Sequence, residues 1–176
     1  MPREKDGAVI AHPLRGFTTL ELLVVVSILL IMAAIALPNL SGWARNQRLK
    51  GVARDLFSHF QFARLEAIKR STTIALAFNP GAGEVGNYTV FVDDGAGGGT
   101  AGNLIQDNEA EATLRRAVMP VVVTLTSSFT GDRAGYNARG FPVLGNGGTV
   151  TLSTDSRSYQ VEMKQTSGGL SLNGPL

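Results

Sequence analysis

The sequence predicts an α+β protein, a long N-terminal helix packed on an antiparallel β-sheet head. Three observations predict it. Leu22 to Leu37 is a sixteen-residue apolar run broken only by Ser27. An amphipathic stretch with apolar residues at helical spacing follows it to Arg70. From Thr72 the period changes to two, in short segments separated by Gly, Pro and Asn.

The apolar run comes first. From Phe17 to Leu37 there are 21 residues, roughly 31 Å as a helix, which matches a hydrocarbon core of about 30 Å. It is apolar on every side, so lipid or other protein must cover it. Glu21 is its one charge, and an unpaired carboxylate inside such a segment costs about 2.5–3.5 kcal/mol, less near the membrane edge. Glu21 lies one helical turn after Phe17.

The second half of the helix is expected over residues 38–70. Leu49, Val52, Leu56, Phe60, Ala63 and Ala67 form one apolar face. Arg45, Arg48, Arg54, Gln61 and Lys69 are left for the others. Pro38 removes an intrahelical hydrogen bond and is expected to kink or loosen the helix, helped by Asn39, Ser41 and Gly42.

Strands are expected at Thr72–Phe78, Asn87–Val92, Leu114–Met119, Val121–Thr126, Thr149–Ser153 and Tyr159–Lys164, with Leu170–Leu172 closing the sheet. Ile74, Leu76 and Phe78 share one face of the first. Tyr88, Val90 and Val92 lie opposite Thr89 and Phe91 in the second. Asn79-Pro80-Gly81 and Asn146-Gly147-Gly148 carry turn chemistry, and Asp93–Gly102 reads as a Gly-rich loop. Such a sheet needs the helix face at Leu56 and Phe60 to complete its core.

Composition excludes much. No cysteine is present among 176 residues, so disulfides, thiolate metal sites and cysteine nucleophiles are ruled out. The two histidines are His12 and His59, and His59 reads as helix surface or helix–sheet contact rather than a catalytic base. No catalytic residue, cofactor or resident metal is expected, and the chain does not read as an enzyme. Gly95-Ala96-Gly97-Gly98-Gly99 lacks the spacing and the following Lys of a phosphate-binding loop. Asp93, Asp94, Asn103, Asp107, Asn108 and Glu109 form an oxygen-rich cluster. Its spacing is not that of an EF-hand, and it reads as a solvated acidic loop rather than a calcium site. The formal net charge is +2, but residues 45–70 carry +5 and residues 71–176 carry −3. The basic excess is therefore local, and DNA is not an expected partner.

The segment Arg15-Gly16-Phe17-Thr18-Thr19-Leu20-Glu21-Leu22-Leu23-Val24-Val25-Val26 resembles the prepilin cleavage and methylation signature of type IV pilins and type II secretion pseudopilins. The shared pattern is a short basic leader ending in Gly, then Phe, then Glu as fifth residue of the mature chain, then an apolar helix. Thr19 departs mildly, since an aliphatic residue is commoner there. The resemblance implies cleavage by a prepilin peptidase between Gly16 and Phe17 and N-methylation of Phe17. It also implies an assembly role for Glu21 and a helix kink at Pro38.

Downstream, Val90-Phe91-Val92-Asp93-Asp94 leading to Leu114-Arg115, and Tyr136-Asn137-Ala138-Arg139-Gly140-Phe141-Pro142 followed by Gly145–Thr149, resemble the GspH/FimT domain. The implied organisation is a cleaved leader (1–16), a transmembrane helix and filament core (17–37), an amphipathic half-helix (38–70) and a periplasmic β-rich head (71–176). The implied function is that of a minor pseudopilin of the type II secretion system, a structural subunit of the periplasmic pseudopilus. The alternative is a FimT-type minor pilin that primes type IV pilus assembly. Implied partners are the prepilin peptidase, other pseudopilins or pilins in a helical filament, an inner-membrane assembly platform and membrane lipid. The resemblance and the short leader place the N-terminus in the cytoplasm, since basic residues flank the apolar run on both sides. The basic DNA motif of FimT-like pilins is absent: the corresponding stretch is Gly168-Gly169-Leu170-Ser171.

A third reading is a membrane-tethered or secreted binding domain with an ordinary signal, since Ala34-Ile35-Ala36 fits a small-x-small cleavage site. Against it stand Glu21 and the amphipathic pattern that continues past Pro38.

Overall fold

The computed structural model describes residues 16–81, 85–143 and 147–176, without the side chains of residues 36–41. Helix α1 spans Thr19–Arg70. Among the described residues eight strands follow: β1 Thr73–Asn79, β2 Asn87–Asp93, β3 Thr113–Val118, β4 Thr124–Ser127, β5 Arg133–Tyr136, β6 Gly148–Ser153, β7 Ser158–Met163 and β8 Leu170–Asn173. The chain forms two compact units, up to Ser41 and from Gly42. The kink expected at Pro38 falls among residues 36–41, whose side chains lie outside the described residues. Asn146 lies outside them as well.

In the unit from Gly42, the helix packs on antiparallel sheet, as the periodicity predicts. The sheet is not single, however. Two four-stranded sheets form, in the orders β3-β2-β1-β5 and β4-β6-β7-β8. The division falls at Pro120. Proline cannot donate to a ladder, and Val123 N–H closes a turn on the Pro120 carbonyl at 2.8 Å. The expected strand Val121–Thr126 therefore begins later, at Thr124, and pairs with β6 rather than β3.

One core joins the helix to both sheets. Leu49, Ala53, Leu56, Phe60, Ala63 and Ala67 are fully buried on the helix. Their spacings of 4, 3, 4, 3 and 4 make a straight apolar seam. Ala53 takes the position expected for Val52, which is only partly buried. The seam meets Ile74, Leu76 and Phe78 of β1, Tyr88, Val90 and Val92 of β2, and Leu125, Val150, Leu152, Val161 and Met163 of the second sheet. Each large side chain so buried contributes roughly 1.5–3 kcal/mol relative to exposure. Phe60 lies with its ring centroid 5.9 Å from that of Phe78 and 6.1 Å from that of Phe129. These three rings tie the helix to the sheets.

Alternation in β1 and β2 puts Ala75 and Phe91 on the other face of the first sheet, where Leu104 covers them. Leu104 comes from the loop after β2, where Asp94, Asp107 and Glu109 are exposed, as expected of a solvated acidic loop, but two carboxylates turn inward. Asp93 and Glu111 are fully buried. Asp93 accepts the backbone N–H groups of Gly102 at 2.8 Å and Leu104 at 2.7 Å. Glu111 accepts those of Gly95 at 3.2 Å and Asp107 at 2.8 Å. The carboxylates serve as internal acceptors for a loop that has no strand partner for its amides. Desolvation raises the Asp93 pKa, against the lowering effect of its two backbone donors.

His59 lies where α1 meets the first sheet, its Nδ1 2.7 Å from the Tyr88 hydroxyl. Desolvation holds its pKa below the ordinary histidine value, outweighing the raising effect of Asp55. A lowered folded pKa means that the unfolded chain takes the proton first. The histidine contribution to stability is therefore complete above about pH 6.5 and declines as pH falls through that value. Urea unfolding at pH 7.5 and 5.5 is expected to show lower stability at the acid end. His59→Gln is expected to flatten that difference.

Candidate assembly site at the start of the helix

Gly16, Phe17 and Thr18 precede the helix and are exposed. The helix starts at Thr19 for a local reason. Thr18-Thr19-Leu20-Glu21 is a capping-box sequence, with Thr at the cap and Glu three residues on. Thr18 Oγ1 accepts the Glu21 backbone N–H at 3.2 Å. The Thr18 carbonyl accepts the Leu22 N–H, also at 3.2 Å. An acidic side chain in the first turn also complements the positive end of the helix dipole.

Phe17 is 83% exposed, and the large apolar side chains from Leu20 to Ile35 are exposed around the helix. Ser27, the polar interruption, donates its hydroxyl to the Leu23 carbonyl at 2.8 Å. The run thus presents no unsatisfied side-chain donor to an apolar surrounding. Among the described residues no helix is long and apolar enough to cross a membrane.

Phe17 and Glu21 line one shallow apolar hollow with Leu22 and Val25. The structure thus brings three of the predicted site residues, Gly16, Phe17 and Glu21, to one end of the helix, while the side chain of Pro38 lies outside the described residues. No basic side chain pairs with Glu21 among the described residues, whose ion pairs both belong to Glu66. Among the described residues, a Cβ added at Gly16 would meet nothing within 4 Å.

Sequence reasoning passed over the capping role of Thr18, although Thr-x-x-Glu is readable as a cap. The Tyr136–Pro142 motif proves to be a structural turn. Asn137 Oδ1 accepts the N–H groups of Arg139 and Phe141 at 2.9 and 3.1 Å. Gly140, at φ 75°, sits where a Cβ would lie 2.8 Å from Ile68. Among the described residues, no group of three or more His, Asp or Glu side chains is placed to hold a metal ion.

A family model described as type II transport protein GspH matches residues 52–167. The pilin-like protein PilA1 of Thermus thermophilus is 43% identical over 83 residues, 47% of this chain and 50% of that protein. The chain thus aligns with about half the length of this curated relative. Two solved structures share the fold. The type IV minor pilin FimU of Pseudomonas aeruginosa gives a TM-score of 0.55 at 15% identity, covering 76% of this chain and 93% of that one. The minor pseudopilin EpsH from the type 2 secretion system of Vibrio cholerae gives 0.53 at 10% identity, covering 73% and 98%. The family match takes in the helix from Val52, the first sheet, strands β4, β6 and β7 of the second and the Tyr136–Pro142 turn, and the chain belongs to the GspH family of pilin-like proteins.

Proposed function

We propose that the chain is a minor pseudopilin of the type II secretion system, a structural subunit of a periplasmic filament. A prepilin peptidase cuts between Gly16 and Phe17 and Phe17 is N-methylated. The segment 17–37 anchors the subunit in the inner membrane, and the unit from Gly42 faces the periplasm. In the filament the Glu21 carboxylate meets the N-terminal amine of a neighbouring subunit.

The observation that carries this reading is the helix start. Phe17, just before the helix, and Glu21, in its first turn, line one apolar hollow, and the carboxylate has no basic partner among the described residues. A charge in such a place needs a cation from elsewhere. Gly16 supports the same reading. No described residue crowds it, and a glycine there suits an outside surface that must approach the backbone. Gly16→Ala is expected to leave the head fold unchanged and to slow or stop maturation. Immunoblots for the shift in mass measure this.

A second reading, a FimT-type minor pilin priming a type IV pilus, draws support from the 43% identity to a protein named as pilin-like. Deleting the gene separates the two. Loss of extracellular enzymes with pili intact fits the secretion reading, and loss of surface pili with secretion intact fits the pilus reading.

A further inference from the structure

At one end of the head, apolar side chains stand in the open beside Arg45, at the start of a basic stretch of the helix. Val121 is 89% exposed at the tip of the turn between β3 and β4. Arg45, Val121, Val122 and Asp155 line one hollow. Asn46 Oδ1 lies 3.4 Å from the Ser156 hydroxyl, which fixes the β6–β7 turn beside this part of the helix. Trp43, the one tryptophan of the chain, is 59% exposed just before Arg45. From Trp43 to Arg54 the sequence carries Arg45, Arg48, Lys50 and Arg54 and no acidic residue.

We propose that this end of the head docks on a bilayer surface rich in anionic headgroups. Val121 and Val122 enter the interfacial layer, Trp43 lies at headgroup level, and Arg45 and Arg48 meet lipid phosphates. The inference rests on the membrane anchoring proposed above. Chain connectivity carries it beyond exposure alone. Trp43 follows Leu37 by six residues, so it lies within roughly 20 Å of the end of the apolar segment in any conformation. An exposed valine pair, an indole and a basic run held that close to a bilayer have the composition of an interfacial contact. Their charge complements anionic lipid, at about a fivefold gain in the docked population for each basic residue near the surface. Docking would hold the lone subunit's head down on the membrane before it joins a filament.

The absence of cysteine allows the test. The full chain carrying Val121→Cys, labelled with an environment-sensitive fluorophore, is reconstituted in phosphatidylcholine vesicles with and without phosphatidylglycerol. Alkaline extraction of the vesicles reports anchoring independently. The expected result is a retained chain whose label is blue-shifted and quenched by spin-labelled lipid when phosphatidylglycerol is present. A label at Ala110→Cys, exposed in the loop after β2, is expected to keep its aqueous emission. Neutralising Arg45 and Arg48 to Gln is expected to lower the docked-to-free ratio by about 25-fold in all. A retained chain with Val121 in water overturns the docking while leaving the anchor intact. Equal quenching without the anionic lipid overturns it too. So does burial of the label only after partner pilins are added, which would assign the surface to a neighbouring subunit. A chain released by alkaline extraction overturns both the anchoring and the docking.

Discussion

Glu21→Gln is expected to fold, insert and be cleaved at Gly16 normally, yet to enter filaments at least a hundredfold less well. Glutamine serves as well as glutamate at the third position of a capping box, and the Thr18 cap is made by the backbone of residue 21. The helix start therefore survives the substitution. What disappears is the charge. In the lone subunit that charge costs little, because water and headgroups reach the membrane edge. In a filament it offsets the amine of a neighbouring chain. Removing one partner of a buried pair costs roughly 3–5 kcal/mol, a factor of a hundred to several thousand in association. Crosslinking of the cleaved variant to partner subunits, against wild type, measures the loss. Full incorporation of a correctly cleaved Glu21→Gln subunit would show that the carboxylate is not an assembly contact.

Phe60→Ala is expected to destabilise the head by about 3–5 kcal/mol. Phe60 is fully buried, and its ring bridges Phe78 of β1 and Phe129 beside the second sheet. Its loss leaves a void among three elements that cannot all close on it. A domain of ordinary stability has about 5–15 kcal/mol in total, so the variant should sit near its unfolding threshold at 37 °C. The larger form of the same test removes the helix altogether. A fragment beginning at Gly42 retains the seam and should be soluble. One beginning at Ser71 leaves the faces of both sheets bare and should aggregate. Denaturant unfolding of the first fragment, with and without Phe60→Ala, gives the number. A well-folded 71–176 fragment would contradict the helix-on-sheet core.

The helix and its buried face were legible because residues 49–67 repeat at helical spacing. The choice between Val52 and Ala53 was not. Neighbouring positions differ by about 100° around a helix, and an alanine lets the sheets approach where a valine reads as the better core residue. The faces of β1 and β2 were legible for the same reason of period. Pairing was not, because a period of two says which way a side chain points and nothing of which strand lies alongside. Strand β5 was invisible. It has four residues and contains Gly135, where a Cβ would come within 2.5 Å of Leu104, and such a glycine reads as loop. Asp93 misled in the opposite direction, and Glu111 was not among the residues singled out. Acidic residues among glycines suggest solvent, yet here the backbone amides they accept draw them inward. At the candidate site Gly16, Phe17 and Glu21 were readable from one short signature. The cap at Thr18 is a local hydrogen bond to the Glu21 amide, which the apolar pattern of the segment does not reveal.

The most direct test is the mass and sequence of the mature N-terminus, taken from protein purified from membranes of the native host. The account predicts a chain that begins at Phe17 with a methyl group on its amine. A chain beginning at Leu37, or one retaining residues 1–16, would contradict it.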